Sequence, residues 1–386
     1  MGTEGEVMSP TQRPYDFVIY GATGFTGQLV AHNLSERMRT RKWAVAGRNQ
    51  AKLQDMVKQL PSDLAVPDII IADASEPETL KAMCEQAKVI ITTVGPYALY
   101  GEPLLKACVD AGTHYCDITG EPAFVSKSIA TYHEAAKARG IRILHCCGFD
   151  SIPADLGAFY ALKKLKGEGI KLYGYVTVHG EFSGGTWASA LNAMHEGKTP
   201  VRLVPKGGLS RGPQMPNIHR ALSVKAGWGL PMPVIDAQIV RRSAFLRGDY
   251  PSGFSYRQYL KTKSAIKAAT ITSSVGALVL GAQLKPVQKL LEARKPSGAG
   301  PTAETREKSF FRVEFYGTNQ AGDTVRARVS GGDPGYDETS KMLGECASLL
   351  VFEEGESHAG VLTPAAAFGD ALISQLESRN IRFEYL

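Results

Sequence analysis

From Tyr15 to Cys147 the chain alternates short runs of apolar, β-branched residues with longer stretches whose apolar side chains recur at helical intervals. The first kind of run suits a strand and the second an amphipathic helix. The strands expected are Phe17–Tyr20, Trp43–Ala46, Asp68–Ile71, Val89–Val94, Tyr115–Ile118 and Ile141–Cys146. Helices are expected between them, over about Thr26–Glu36, Ala51–Gln59, Glu78–Gln86, Glu102–Ala111 and Ala123–Arg139. Strands this continuously apolar have both faces covered, as in a parallel sheet flanked by helices. The pattern therefore predicts an α/β fold, a Rossmann-type doubly wound parallel sheet of six strands over 14–150.

After Gly148 the pattern changes. Gly/Pro clusters and longer irregular segments appear, with two alternating strands near Ser309–Tyr316 and Thr324–Val329, so 151–335 reads as a second, α+β domain for substrate or dimerisation. Within it 203–233 is rich in Gly and Pro, and 295–302 has the composition of a loop. Residues 336–386 return to helix periodicity and end in a strand-like Ile381–Leu386; this C-terminal segment is expected to rejoin the Rossmann domain. Residues 1–13 are expected to form a flexible tail.

Composition narrows the function. With 44% apolar and 21% charged residues among 386, the chain is neither disordered nor fibrous. Its net charge of +6 suits an anionic ligand, but the lysines and arginines are scattered, which argues against nucleic acid. The six cysteines form no C-x-x-C pair, so neither a disulfide framework nor a metal site is expected, and a reducing compartment is. The acidic N-terminus resembles no targeting peptide and points to the cytoplasm. The apolar stretch Ser264–Ala282 is interrupted by Lys267 and hydroxyl residues, so it is expected as a helix packed on protein or resting on a lipid surface, not spanning one. Peripheral contact with a membrane or lipid droplet, and a homodimer, are compatible with this.

The first strand runs into Gly21-Ala22-Thr23-Gly24-Phe25-Thr26-Gly27 and then a helix. Glycines at this turn let the backbone approach a pyrophosphate, whose charge is favoured by the amides and dipole at the helix start. The spacing is G-x-x-G-x-x-G. Where an NAD site carries an acid at the end of the second strand, this chain has Gly47-Arg48-Asn49, with Lys52 beyond. Arg48 suits the 2′-phosphate of NADPH, so the cofactor expected is NADP. Ligands in such sheets lie outside the carboxyl ends of the strands, which adds Asp73 after the third strand and Thr93, Val94, Gly95 and Pro96 after the fourth. Asp73 either contacts the adenine or caps the following helix.

Hydride transfer to a substrate also needs an acid to supply a proton. Tyr97, Asp117 and Glu121 follow strand ends on the cofactor side, and Asp150 lies at the crossover into the second domain. Each has a second reading. In that reading Tyr97 walls the pocket, Asp117 and Glu121 hold the turn Thr119-Gly120, and Asp150 or Ser151 caps the helix that Pro153 opens. His179, His195, Trp187 and Trp228 line a substrate cleft or simply pack, while Cys146 and Cys147 read as small apolar residues.

Several ordered segments together resemble one family. They are Tyr20-Gly21-Ala22-Thr23-Gly24-Phe25-Thr26-Gly27, Ala46-Gly47-Arg48, Val94-Gly95-Pro96-Tyr97, Tyr100-Gly101-Glu102-Pro103, Asp117-Ile118-Thr119-Gly120-Glu121, Gly148-Phe149-Asp150-Ser151-Ile152-Pro153-Ala154-Asp155-Leu156, Ser183-Gly184-Gly185-Thr186-Trp187 and the run from Gly360 to Gly369. Over 14–386 the chain is similar to the saccharopine dehydrogenase-like oxidoreductases, including the mycobacterial trans-acting enoyl reductases of lipid and polyketide synthesis. The resemblance implies a Rossmann domain with an inserted α+β domain, a reduced nicotinamide cofactor and reduction of a carbon–carbon double bond in an acyl chain. It does not imply saccharopine chemistry, because no basic constellation for a dicarboxylate amino acid is assignable. A second reading is a lipid-surface or scaffold protein that keeps the cofactor fold with little turnover. A third is a carbonyl or imine reductase like the short-chain dehydrogenases, since Tyr160–Lys164 forms Y-x-x-x-K on an expected helix. Tyr259–Lys263 matches the same string, and Cys147 occupies the neighbourhood where those enzymes carry a serine.

Overall fold

The computed structural model describes residues 13–37, 39–61, 66–180, 202–205, 218–223, 227–232, 235–267, 270, 300–352 and 358–386. The chain divides into two compact units. One comprises the residues up to 119 with 123–147 and 340–362, and the other 120–122, 148–339 and 363–386.

The first unit is built on strands β1 (Tyr15–Tyr20), β2 (Trp43–Gly47), β3 (Asp68–Ile71), β4 (Ala87–Thr92), β5 (His114–Asp117), β6 (Arg142–Leu144) and β13 (Gly360–Leu362). They lie in the order β13-β6-β5-β4-β1-β2-β3, and every neighbouring pair is parallel. Helices α1 (Phe25–Arg37), α2 (Gln50–Lys58), α3 (Pro77–Glu85), α4 (Tyr97–Ala111) and α5 (Pro122–Ala138) connect them. The continuous apolar runs are explained by burial: Phe17, Val18, Ile19, Val89, Ile90 and Ile91 are fully inaccessible. This is the doubly wound arrangement in which β1 and β4 meet at the topological switch point.

Four details depart from the sequence pattern. The sheet has seven strands, not six, because β13 pairs with β6 through Val361 and Ile143. Strand β6 stops at Leu144 instead of reaching Cys146, whose φ of 62° turns the chain out of the sheet. Helix α4 starts at Tyr97, well before Glu102, and carries Pro103 inside it. Arg13 belongs to no tail: it is buried and donates to the carbonyls of Ala87 and Ala111 and to Thr113 Oγ1.

The second unit contains α6 (Ile152–Lys164), β7 (Lys171–His179), β8 (His219–Arg220), β9 (Trp228–Pro231), α7 (Asp236–Arg247), β10 (Ser255–Thr262), α8 (Ala303–Glu307), β11 (Phe310–Thr318) and β12 (Thr324–Gly331). Helix α9 (Asp337–Phe352) follows and from Ser340 onward belongs to the first unit, whereas α10 (Pro364–Phe368), α11 (Asp370–Ser378) and β14 (Arg382–Tyr385) belong to the second. The mixed sheet runs β14-β12-β11-β7-β10-β9-β8, with only β7 and β10 parallel. Helix α6 packs against β11 and β12 so closely that a Cβ on Gly157 would stand 2.3 Å from the Phe315 ring. The last strand therefore corrects the expectation for the C-terminus: β14 pairs antiparallel with β12, and only 340–362 joins the parallel unit. Its partner row on β12 was hidden from a reading of local pattern.

Of Ser264–Ala282, all but Ser264–Lys267 and Thr270 lies outside the described residues, as do Trp187, His195 and Ser183–Trp187 as a whole. Among the described residues no helix is long and apolar enough to cross a membrane.

Candidate cofactor and active site

The glycine loop is shaped by close backbone contacts. Gly21, at φ 87°, follows the last residue of β1, and a Cβ there would meet Val94 Cγ2 at 2.5 Å and Thr93 Oγ1 at 3.1 Å. The end of β4 thus leans on the start of the loop, and Thr93 Oγ1 donates to Gly21 O at 3.3 Å. Gly24 N donates to Gly21 O, and Gln28 N to Gly24 O, which closes the turn into α1. Around Gly24 there is room: a Cβ would meet only Gly21 O, at 3.4 Å. Ala22 and Gly27 are buried, whereas Thr23, Gly24, Phe25 and Thr26 remain half-exposed. An open backbone at the start of a helix, where first-turn amides have no partner within the helix, fits a dinucleotide pyrophosphate.

Arg48 follows β2, the strand paired with β1 in register Tyr20 to Ala46. It is exposed, and among the described residues it makes no ion pair. Asn49 caps α2 by accepting from Lys52 N at 3.0 Å, and Lys52 is also exposed. Asp73 caps nothing: α3 has Glu76 at its N-cap, and the Asp73 carboxylate accepts from Ser75 N and Ser75 Oγ in a local turn. Those two bonds, with the charge of Arg48 contributing, hold the Asp73 carboxyl below its usual range. Val94 N donates to Thr92 Oγ1, and the Gly95–Pro96 peptide is cis. An exposed guanidinium with no ion pair among the described residues, one strand away from an open glycine turn, fits the 2′-phosphate of NADP.

The acids named as proton donors occupy different environments. Tyr97 is buried, and its hydroxyl donates to Thr92 O at 3.1 Å while its ring packs on Phe124. Asp117 is fully buried: Oδ1 accepts from Thr119 N and Cys146 N, and Oδ2 from Tyr115 Oη, with His145 Nδ1 2.7 Å away. Both side chains bind to the protein's own strand ends, an arrangement suited to holding loops. Glu121 is 4% exposed, just before α5.

Asp150 differs from these. Solvent reaches its side chain, yet protein atoms displace enough water around it to push its carboxyl above the ordinary range. It does not cap α6; that position belongs to Ser151, whose Oγ is buried and among the described residues makes no hydrogen bond. Asp236, in the same unit, is buried and is pushed well up by desolvation and by the charge of Asp150; Gln258 Nε2 donates to it. Sequence reading missed Asp236, as it missed His145 and Ser128, because a lone polar residue in an apolar helix or after a strand carries no spacing signal.

The Y-x-x-x-K strings are packing. Tyr160 stacks on Tyr385 at 4.3 Å and donates to Phe383 O, while Tyr259 lies on β10, not on a helix. Trp228 lies in β9 and His179 stacks on Phe310. All six cysteines are buried, and none is in a disulfide.

Comparison with known proteins agrees with this cofactor. Residues 17–144 match the saccharopine dehydrogenase NADP binding domain. A Mycobacterium tuberculosis protein named a candidate trans-acting enoyl reductase is 38% identical, with 98% of this chain and 99% of that protein covered. The trans-acting enoyl reductase of Mycobacterium bovis is 35% identical over 97% of this chain and 98% of its own. Saccharopine dehydrogenase (L-Glu forming) from Saccharomyces cerevisiae shares the fold, with a TM-score of 0.55 at 11% identity over 96% of this chain and 100% of that one. The chain belongs to the saccharopine dehydrogenase-like oxidoreductase family that includes the trans-acting enoyl reductases, and it is an NADP-dependent oxidoreductase.

Proposed function

We propose that the protein uses NADPH to reduce a carbon–carbon double bond in a lipid- or polyketide-like acyl substrate. The observation that carries this reading is that the likeness to the trans-acting enoyl reductases runs through the whole chain, the second unit included. In this reading the bound cofactor supplies hydride to one carbon of the double bond. The chain's own residues hold the dinucleotide at the glycine turn and Arg48, and deliver a proton to the other carbon. Asp150 is the proposed donor, since a solvent-accessible carboxyl with a raised pKa retains its proton closer to neutrality. Tyr97 and Asp117 are better suited to support, because their polar atoms are committed to backbone groups and, for Asp117 Oδ2, to Tyr115 and His145.

Purified protein mixed with NADPH and a panel of α,β-unsaturated acyl thioesters tests the reading through loss of absorbance at 340 nm. Turnover of at least one thioester is expected, with Asp150→Asn losing about a hundredfold in rate at unchanged NADPH affinity. No turnover across short, long and branched acyl chains, in protein that binds NADPH, would overturn it.

A further inference from the structure

The Asp117 carboxyl joins two stretches of backbone that are separated by 29 residues between Asp117 and Cys146. One is the loop leaving β5, through Thr119 N at 3.0 Å; the other leaves β6, through Cys146 N at 3.1 Å. Cys147 N adds a third tie by donating to Asp117 O at 2.8 Å. The opposite carboxyl oxygen accepts from Tyr115 Oη at 2.9 Å and lies 2.7 Å from His145 Nδ1. With Nδ1 donating to the carboxyl, His145 Nε2 accepts from Ser128 Oγ, 2.7 Å away on α5. Asp117, His145 and Ser128 are all at most 2% exposed, so the series cannot act as a nucleophilic triad on an outside substrate.

What it holds is strained. Cys146 has φ 62°, a backbone region that L residues other than Asn and Asp rarely enter. The Cys146 amide on Asp117 Oδ1 and the Cys147 amide on Asp117 O lie on either side of that turned φ and so fix it, and the turn ends β6 and sends the chain toward Asp150. The loop on the other side of the clamp leads in the same way to Glu121. Strands β4, β5 and β6 form the half of a doubly wound sheet whose carboxyl ends face the nicotinamide end of a dinucleotide.

We propose that Asp117 is a positioning residue for the nicotinamide half of the NADP site: it clamps the loops after β5 and β6 and holds Cys146 in its left-handed turn, with His145 and Ser128 bracing the clamp against α5. This role is independent of which substrate is reduced.

The test is NADPH titration of the full chain by fluorescence, with no substrate present. Asp117→Ala removes both carboxylate oxygens of the clamp, leaves the backbone tie from Cys147 N in place, and is expected to weaken NADPH about tenfold or more. Asp117→Asn keeps an oxygen for the two amides and is expected to stay within about threefold of wild type. Adding Cys146→Gly to Asp117→Ala frees the turn from its steric cost and should recover at least about half of the lost binding energy, read as a partial return in dissociation constant. Equal losses in the Asn and Ala variants, or no recovery with glycine, would overturn the proposal. Amide hydrogen exchange on wild-type protein provides a check that needs no variant to fold. The Thr119 and Cys146 amides lie outside any helix or strand, yet should exchange as slowly as sheet amides; exchange at the rate of open loops would overturn the clamp.

Discussion

A Cβ on Gly27 would stand 2.3 Å from the carbonyl oxygen of Gly21, and 2.9 Å from Ala22 Cα. Both obstacles are backbone, so neither can swing aside. Gly27→Ala should force α1 away from β1, costing about 1–3 kcal/mol and weakening NADPH about tenfold. Gly24→Ala meets only Gly21 O at 3.4 Å and should leave the melting temperature nearly unchanged, while still weakening NADPH because its methyl fills space that the pyrophosphate needs. Thermal melts beside cofactor titrations separate the two, and the idea fails if Gly27→Ala is the better-behaved variant in both.

Arg48 offers the sharpest test of cofactor choice. Its guanidinium is exposed and without an ion-pair partner among the described residues, so removing it leaves no buried charge behind. Arg48→Ala should weaken NADPH by roughly 10- to 150-fold, the worth of about 1.5–3 kcal/mol of charged hydrogen bonds, and NADH hardly at all. Calorimetry with both nucleotides decides it. Equal losses for the two would remove the 2′-phosphate from Arg48.

A pH dependence of stability is expected from Asp155. Its carboxyl is fully buried, accepting from Ala365 N at 2.9 Å and from Ser243 Oγ, and desolvation raises it from 3.8 to about 7. Between those values the folded chain keeps a proton that the unfolded chain has lost, so stability falls as pH rises from about 4 to about 7 and is level above. The full span is on the order of 4 kcal/mol. His114 works in the opposite sense: burial and Arg142 lower it to about 4, so its contribution is complete above 6.5 and is lost as pH falls toward 4. The Asp155 effect must therefore be read as a difference. The melting-temperature gap between wild type and Asp155→Asn should shift against wild type across pH 4 to 7, and a gap constant with pH would refute it.

The parts of this fold that depend on neighbours in sequence were legible. Phe17–Tyr20, the glycine turn and α1 form one strand–turn–helix unit, and apolar runs buried on both faces announce parallel strands. Arg48 was readable because strand β2 ends where the ribose contact is made in such folds. Pairings that depend on distant partners were not. Gly360–Leu362 is three residues long, too short for any alternation, and becomes a strand only because β6 offers it an edge. In sequence Asp117 read either as a proton donor or as a holder of the turn Thr119-Gly120; four partners from Tyr115 to Cys146 show it engaged well beyond that turn. Arg13 looked like part of a polar tail, and its three acceptors lie 74 to 100 residues away.

The seventh strand also sets the order in which the chain can finish folding as it leaves the ribosome. Strand β6 is made by residue 144, but its outer edge stays unpaired until β13 emerges more than 200 residues later, when most of the second unit has been synthesised. Through that interval a nascent parallel sheet carries an uncovered apolar edge, the kind of surface on which chains associate wrongly. A chain cut short before Gly360 keeps every residue of the glycine turn and Arg48, yet exposes that edge permanently, so the NADP-binding residues form a separable motif in sequence without being a separable folding domain.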